Sequence, residues 1–216
     1  EVLRLLRAAW QRGGPEGGPA KRAWPELSEE AERKLGAYVR ELWRWNERLN
    51  LTRLLSPVEM AYQNLLDSAQ GFWAIAAGEE VADVGSGAGF PGLVLAILDP
   101  TSRYTLFDAR AKRVEFLNFV IRSVKVENAR AEHAVWPLAE GETRRFSTIL
   151  SRATFSEVDT LLTSGRMLAP GGRFLLWRTQ TLRVNPPLSA REAVYTLPGL
   201  SETRRLVSVE KDVSNG

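Results

Sequence analysis

Cysteine is absent from all 216 residues, histidine occurs once, at His133, and lysine supplies only 5 of the 29 basic side chains. Each shortage excludes something. Without thiols there is no disulfide framework, thiolate nucleophile, Fe–S cluster or cysteine-containing zinc site. A zinc site built without thiolates needs two or more imidazoles, and a Ser-His-Asp relay has only His133 to draw on. Metal activation and a histidine base are therefore not expected, and His133 reads as a partly buried polar residue at a strand end. No window approaches the ~18–20 consecutive apolar residues of a membrane span. The N-terminal run Val2-Leu-Arg-Leu-Leu-Arg-Ala-Ala-Trp10 lacks the apolar core and cleavage site of a signal peptide. Its basic amphipathic pattern reads as an ordinary N-terminal helix rather than a membrane-surface one. The expected location is a reducing one, the cytoplasm, with neither a membrane nor a metal among the partners.

What is present is enough for a core: 44% apolar residues, with 7 Trp and 8 Phe. At roughly 100–200 residues per domain, this is one domain of ordinary size with at most a small appendage. The net charge is only +3, but 24 of the basic residues are Arg. Guanidinium forks match phosphates bidentately and stack on bases, which agrees with an RNA or DNA partner. A biased genome composition produces the same count, so charge alone does not choose the partner.

Along the chain, the Gly- and Pro-rich run from Gln11 to Pro25 cannot be regular structure and reads as a linker after a first short helix. Ser28 is a suitable N-cap, with Glu29, Glu30 and Glu32 in the first turn of the helix it would open. Leu27, Ala31, Leu35, Tyr38, Leu42, Trp45 and Leu49 follow at steps of three or four, giving a helix with one buried stripe. Pro57 opens a further helix through Leu66, which Ser68–Ala77 extends. From Glu79 the pattern changes to short apolar runs alternating with helical stretches. Strands are expected at Glu80–Val84, Tyr104–Asp108, Ala129–His133, Ser147–Ser151, Arg173–Arg178, Ala193–Leu197 and Leu206–Glu210, and helices at Gly92–Leu98, Ala111–Val124 and Glu157–Leu168. Such alternation implies a parallel sheet covered on both faces. The short turn at Pro198-Gly199 makes the last two strands an antiparallel edge hairpin. The expected organisation is an N-terminal helical cap, 1–77, packed on an α/β domain, 78–216.

The most informative stretch is Val81-Ala-Asp-Val-Gly-Ser-Gly-Ala-Gly-Phe-Pro-Gly92. A strand ends near Asp83, glycines stand at 85, 87 and 89, and a helix begins near Phe90. Such a loop turns sharply and lets a ligand approach the backbone, against strand ends and a helix N-terminus. Two cofactors compete for it. Gly87, Gly89 and Gly92 fit the dinucleotide fingerprint, with Asp108 ~20 residues on. Asp83 at the strand end argues against it, because a carboxylate repels a pyrophosphate. The same carboxylate suits S-adenosylmethionine, which carries an ammonium and a sulfonium and no phosphate. In that reading Asp83 and the backbone of Gly85, Ser86, Gly87 and Gly89 serve the methionine part. Asp108 accepts from the ribose hydroxyls, and Glu132 lies where the adenine reaches. The bland alternative is that these acids are caps and turn residues.

D-V-G-S-G-A-G-F-P-G (83–92), F-D-A-R-A-K-R-V-E-F-L (107–117), R-A-E (130–132), S-R-A (151–153) and L-A-P-G-G-R (168–173), preceded by N-x-x-x-N-L-T (46–52) and L-L-D-S (65–68), carry a resemblance. The chain resembles the bacterial small-subunit rRNA guanine-N7 methyltransferases, the glucose-inhibited division protein B family, from about Glu26 to Lys211. The resemblance implies a Rossmann-like seven-stranded methyltransferase sheet with helical N-terminal cover. It implies that Gly85, Phe90, Ala131, Glu132 and Arg152 line the cofactor with Asp108 on the ribose, and that Lys112, Arg113 and Arg130 near the mouth hold RNA phosphates. Three places depart from the family pattern. Gln63-Asn64 stands where Lys or Arg then His is usual, Arg178-Thr179 where Lys-Gly is usual, and Arg204-Arg205 precedes Leu-Val-Ser. Arg178 keeps part of the charge.

The implied chemistry suits a chain poor in bases. Guanine N7 carries a free lone pair, so methylating it requires no prior deprotonation, and catalysis rests on positioning. No catalytic base is expected. A base inside folded RNA must be splayed out first, and Phe90, Arg152, Phe155 and Arg178 are candidate lining residues. The expected partner is ribosomal RNA or the small ribosomal subunit, with the protein acting as a monomer. The alternatives are a methyltransferase of a small molecule or another RNA, and a cofactor-sensing module without turnover.

Overall fold

The computed structural model describes residues 1–11, 21–53, 56–139, 141–152 and 163–211. Helix α1 (Val2–Trp10) buries Leu6 and Trp10. Helix α2 (Glu29–Leu49) starts where a side-chain acceptor is available: Ser28 Oγ takes the Ala31 N–H at 3.1 Å, with Glu29, Glu30 and Glu32 in the first turn. It stops at Asn50, which adopts a left-handed conformation. The next helical stretch is α3 (Pro57–Glu59), a π-helical turn Met60–Leu66, and α4 (Asp67–Ala69). A 3₁₀ turn, Phe72–Ala74, follows instead of the expected continuation to Ala77. Gly71 lies at the break, where a Cβ would be 2.7 Å from the Trp177 ring. Among the described residues, no helix is long and apolar enough to cross a membrane.

The sheet contains β1 (Glu80–Val84), β2 (Arg103–Asp108), β3 (Ala129–His133), β4 (Phe146–Arg152), β5 (Leu168–Arg178), β6 (Leu188–Thr196) and β7 (Thr203–Lys211). Their order is β3-β2-β1-β4-β5-β7-β6. β1 to β5 are parallel, and β7 lies antiparallel between β5 and β6. The chain runs outward from β1 through α5 (Gly92–Leu98) and α6 (Ala111–Val124) to β3, then returns to pair β4 with β1. The order reverses between β1 and β4, and ligands of open α/β sheets bind outside the carboxyl ends of strands at such a point.

One apolar cluster covers the face carrying Val81, Leu106, Leu150 and Trp177, and draws in residues of α1, α2, α4, α5 and α6 and of the π-helical turn. A second lies on the opposite face around Phe107, Phe146, Ile149 and Phe174. The hairpin strands run longer than expected because their outer positions are polar and carry no apolar signal. Leu168 opens β5, paired with Phe146, instead of closing a helix. Of the expected helix Glu157–Leu168, residues 157–162 lie outside the described residues, and Gly165–Met167 is a 3₁₀ turn.

In the expected linker, residues 12–20 lie outside the described residues, but its end is packed. Trp24 sits against Trp10 with ring centroids 4.9 Å apart. Arg22 stacks 3.9 Å above the Phe72 ring and forks onto the buried carboxylate of Asp99. Burial alone would raise the Asp99 pKa, but the bonds from Arg22 and Thr101 hold it at about 2. A carboxyl depressed on folding stabilises above its unfolded pKa of ~4 and loses that contribution as pH falls toward ~2. Arg22→Ala is expected to move the acid-unfolding midpoint to higher pH, read by circular dichroism along a pH titration; an unmoved midpoint contradicts the assignment.

Candidate cofactor and RNA site

The loop after β1 hangs on β2. The N–H groups of Gly85 and Ser86 both donate to the Phe107 carbonyl, at 2.9 and 3.0 Å. Two glycines are required sterically. Gly89 has φ +104°, and a Cβ there would meet the Tyr38 hydroxyl at 2.9 Å; a Cβ on Gly92 would lie 2.6 Å from the Asp83 carboxylate. Tyr38, fully buried on α2, donates to the Ala88 carbonyl at 2.5 Å. Helix α2 therefore supports the loop directly.

Over this loop lies a cleft of about 220 Å³ lined by Leu51, Thr52, Gly85–Ala88, Phe90, Arg113 and Arg152. Asp108, at the end of β2, accepts the Gly87 N–H at 2.9 Å through Oδ2 and the Arg110 N–H at 2.9 Å through Oδ1. Arg113 approaches the same Oδ2 at 3.4 Å. Oδ1, with one donor, has capacity for a further one. The Arg152 guanidinium, at the end of β4, lies 5.3 Å from the Phe90 ring centroid. Gly85, Ser86, Gly87, Phe90, Asp108, Arg113 and Arg152 thus come together at the reversal of strand order.

Other expected site residues are placed differently. Asp83 is buried beneath the loop, with Oδ2 accepting the Gly92 N–H at 3.0 Å and Oδ1 buried without a partner among the described residues. It faces the start of α5 rather than the cleft, so its influence on a bound cation acts through the loop and its field. Glu132 points to the opposite face and is taken up by Arg144, at 2.8 Å, and Arg130, at 3.0 Å. The Ala131 main chain is held on both sides by the Asn118 amide. Lys112 is exposed at the start of α6 beside the cleft, while strand alternation puts Arg178 on the face opposite Arg152. His133 is exposed rather than partly buried and bonds the Ala109 carbonyl at 3.0 Å. Phe155 lies outside the described residues.

Burial pushes the Asp83 pKa up to about 6 despite the Gly92 N–H. A carboxyl raised on folding contributes stability that is full below about pH 4 and lost as pH rises through about 6. Asp83→Asn keeps an oxygen for Gly92 and removes the titration. Its urea midpoint is expected to stay level across that window while the parent's falls; parallel decline in both contradicts the assignment.

Thr52, Leu51, Asn64 and Asp67, which line or brace the cleft, have no assigned role in the sequence reading. The signal for Leu51, Thr52 and Asp67 was present in N-L-T and L-D-S, which carried resemblance without a physical role, and Asn64 stood out only as a departure from the family pattern.

The family described as rRNA small subunit methyltransferase G matches residues 31–207. The chain is 39% identical over 156 residues to a ribosomal RNA small subunit methyltransferase G of Chromohalobacter salexigens, covering 69% of this chain and 71% of that one. A Pseudomonas aeruginosa protein of the same name is 37% identical over 194 residues, covering 86% and 89%. Among solved structures, coclaurine N-methyltransferase bound to N-methylheliamine and SAH shares the fold, with a TM-score of 0.50 at 19% identity over 82% of this chain and 56% of that one. Precorrin-6y C5,15-methyltransferase of Geobacter metallireducens also gives 0.50, at 10% identity over 64% and 82%. The Rossmann-like methyltransferase sheet, the glycine loop at its reversal point and the matches across most of the chain agree: this chain belongs to the rRNA small subunit methyltransferase G family.

Proposed function

We propose that the protein transfers a methyl group from S-adenosylmethionine to N7 of a guanine in small-subunit rRNA, acting as a monomer. The carrying observation is the cleft at the β1/β4 reversal, lined by the glycine-loop backbone and Arg152, with the Asp108 carboxylate bonded to that loop. These residues fit the cofactor. Asp108 has acceptor capacity left for hydroxyls, and the unpaired Oδ1 of Asp83 provides negative potential under the loop for a cation. Asp83 also disfavours the dinucleotide alternative, because a pyrophosphate over a buried carboxylate is repelled.

When bound, S-adenosylmethionine supplies an activated methyl on a sulfonium. The protein's own work is to bind and orient. Gly85–Ala88 support the methionine portion, and Asp108 accepts from the ribose. Ala131, in β3, would hold the adenine, with Glu132 next to it in the chain committed to Arg144 and Arg130. Phe90 and the guanidinium of Arg152 offer an aromatic and a planar cationic surface for a splayed base. Because N7 needs no deprotonation, no residue is assigned as a base. Calorimetry is expected to show binding of S-adenosylmethionine and none of NAD; the reverse overturns the cofactor assignment.

Lys112, Arg113, Arg130 and Arg178 are proposed to contact RNA phosphates. Lys112 is the clearest test, being exposed beside the cleft. Lys112→Ala is expected to weaken rRNA binding and lower the slope of log K against log salt by about 1. An unchanged slope removes Lys112 from the contact set. The monomer reading is supported by the surface: among the described residues, the exposed large hydrophobics are Val58, Val135 and Val194, on separate segments.

A further inference from the structure

Arg152 reaches the cleft from the end of β4, but what holds its guanidinium comes from the helical cover. Nη1 donates to the Gln63 carbonyl at 3.0 Å and approaches Asp67 Oδ2 at 3.4 Å, and Nη2 donates to Asn64 Oδ1 at 3.0 Å. Asn64 and Asp67 are each 1% exposed. Gln63 and Asn64 lie within the π-helical turn Met60–Leu66, a wide winding that recurs at functional sites, and Asp67 follows at once. Asp67 is itself fixed from the sheet. Its Oδ1 accepts from the Tyr195 hydroxyl at 2.7 Å and its carbonyl from Trp177 Nε1 at 2.7 Å. One connected set of bonds therefore runs from β5 and β6, through Asp67 and Asn64, to the cation at the cleft.

We propose that Asn64 and Asp67 are positioning residues that set the Arg152 guanidinium over Phe90. The inference rests on the reading of this cleft as the cofactor and target-base site. A guanidinium has a fixed planar fork, so acceptors at three directions determine both its place and its plane. A carboxylate alone would fix only one edge. Of the two acceptors in the π-helical turn, that of Gln63 is main-chain, so the side chain that matters there is Asn64, a neutral acceptor where a cation would repel Arg152.

A purely structural role for these residues makes a different prediction, because it does not pass through Arg152. The test is a double-mutant cycle of Asn64→Ala and Arg152→Ala, with the S-adenosylmethionine dissociation constant and kcat for rRNA methylation measured on the full chain. Asn64→Ala is expected to cost about tenfold in the parent and under about twofold once Arg152 is removed. Tyr195→Phe, which removes only the hydroxyl bond to Asp67, provides a second cycle if Asn64→Ala does not fold. Losses that multiply independently of Arg152 overturn the proposal. A parent chain that binds the cofactor but leaves rRNA unmethylated overturns the functional reading instead, and the binding cycle still decides this one.

Discussion

Glu79→Ala is expected to cost about 3–5 kcal/mol of stability, the penalty for stranding a buried charge. Arg173 is 2% exposed, and its Nη2 bridges the Glu79 carboxylate at 2.9 and 3.1 Å and the Ala74 carbonyl at 2.5 Å. Glu79 is further tied by the Thr148 hydroxyl at 2.5 Å and the Ala76 N–H at 3.1 Å. Removing the carboxylate leaves a guanidinium that cannot lose its proton and cannot reach water. The pair lies at the amino-terminal end of β1, level with Thr148 near the start of β4, the opposite end of β1 from the glycine loop. The urea midpoint should therefore drop while cofactor affinity of the folded protein stays at the parent value. Replacing both members by apolar residues of similar volume should recover much of the loss, since the desolvation cost of the pair disappears with it. A loss under about 1 kcal/mol, or a double variant no more stable than the single, contradicts this account.

Asp108→Ala is expected to weaken S-adenosylmethionine binding by about 1–3 kcal/mol, the range for removing a charged acceptor from buried donors. Two effects combine. The variant removes the acceptor for the ribose hydroxyls and frees the Gly87 and Arg110 N–H groups that Asp108 now ties down. Arg113→Ala is the control that leaves both in place, removing only a 3.4 Å neighbour of Asp108. Its effect on cofactor affinity should be the smaller one. An unchanged dissociation constant in Asp108→Ala shows that the carboxylate is a turn cap only.

The strands and the glycine loop were legible because their signal is local: apolar runs of five or six residues, and a glycine spacing that only a tight turn explains. Asp83, Asp108 and Glu132 were equally visible as strand-end acids, but their directions were not. Strand alternation turns Glu132 to the face opposite Asp108, where Arg144 takes it up. Asp83 turns under the loop because the Gly92 N–H is its nearest donor. The brace of Arg152 was illegible because its members lie 85 to 89 positions away in the chain. The P-G-G-R motif likewise gave no hint of purpose, since Arg173 finds Glu79 only once β5 is placed in the sheet.

The shortages of thiols and imidazoles fit this chemistry, because a neutral ring nitrogen with a free lone pair needs neither to accept a methyl group. That claim is tested most directly by incubating the protein with small-subunit rRNA and S-adenosylmethionine labelled in the methyl group, then mapping the label by base-specific cleavage at N7-methylguanine. The account predicts label at N7 of a guanine, reduced in Asp108→Ala and Arg152→Ala. Label on another atom or base, or rRNA left unlabelled by protein that binds the cofactor, contradicts it.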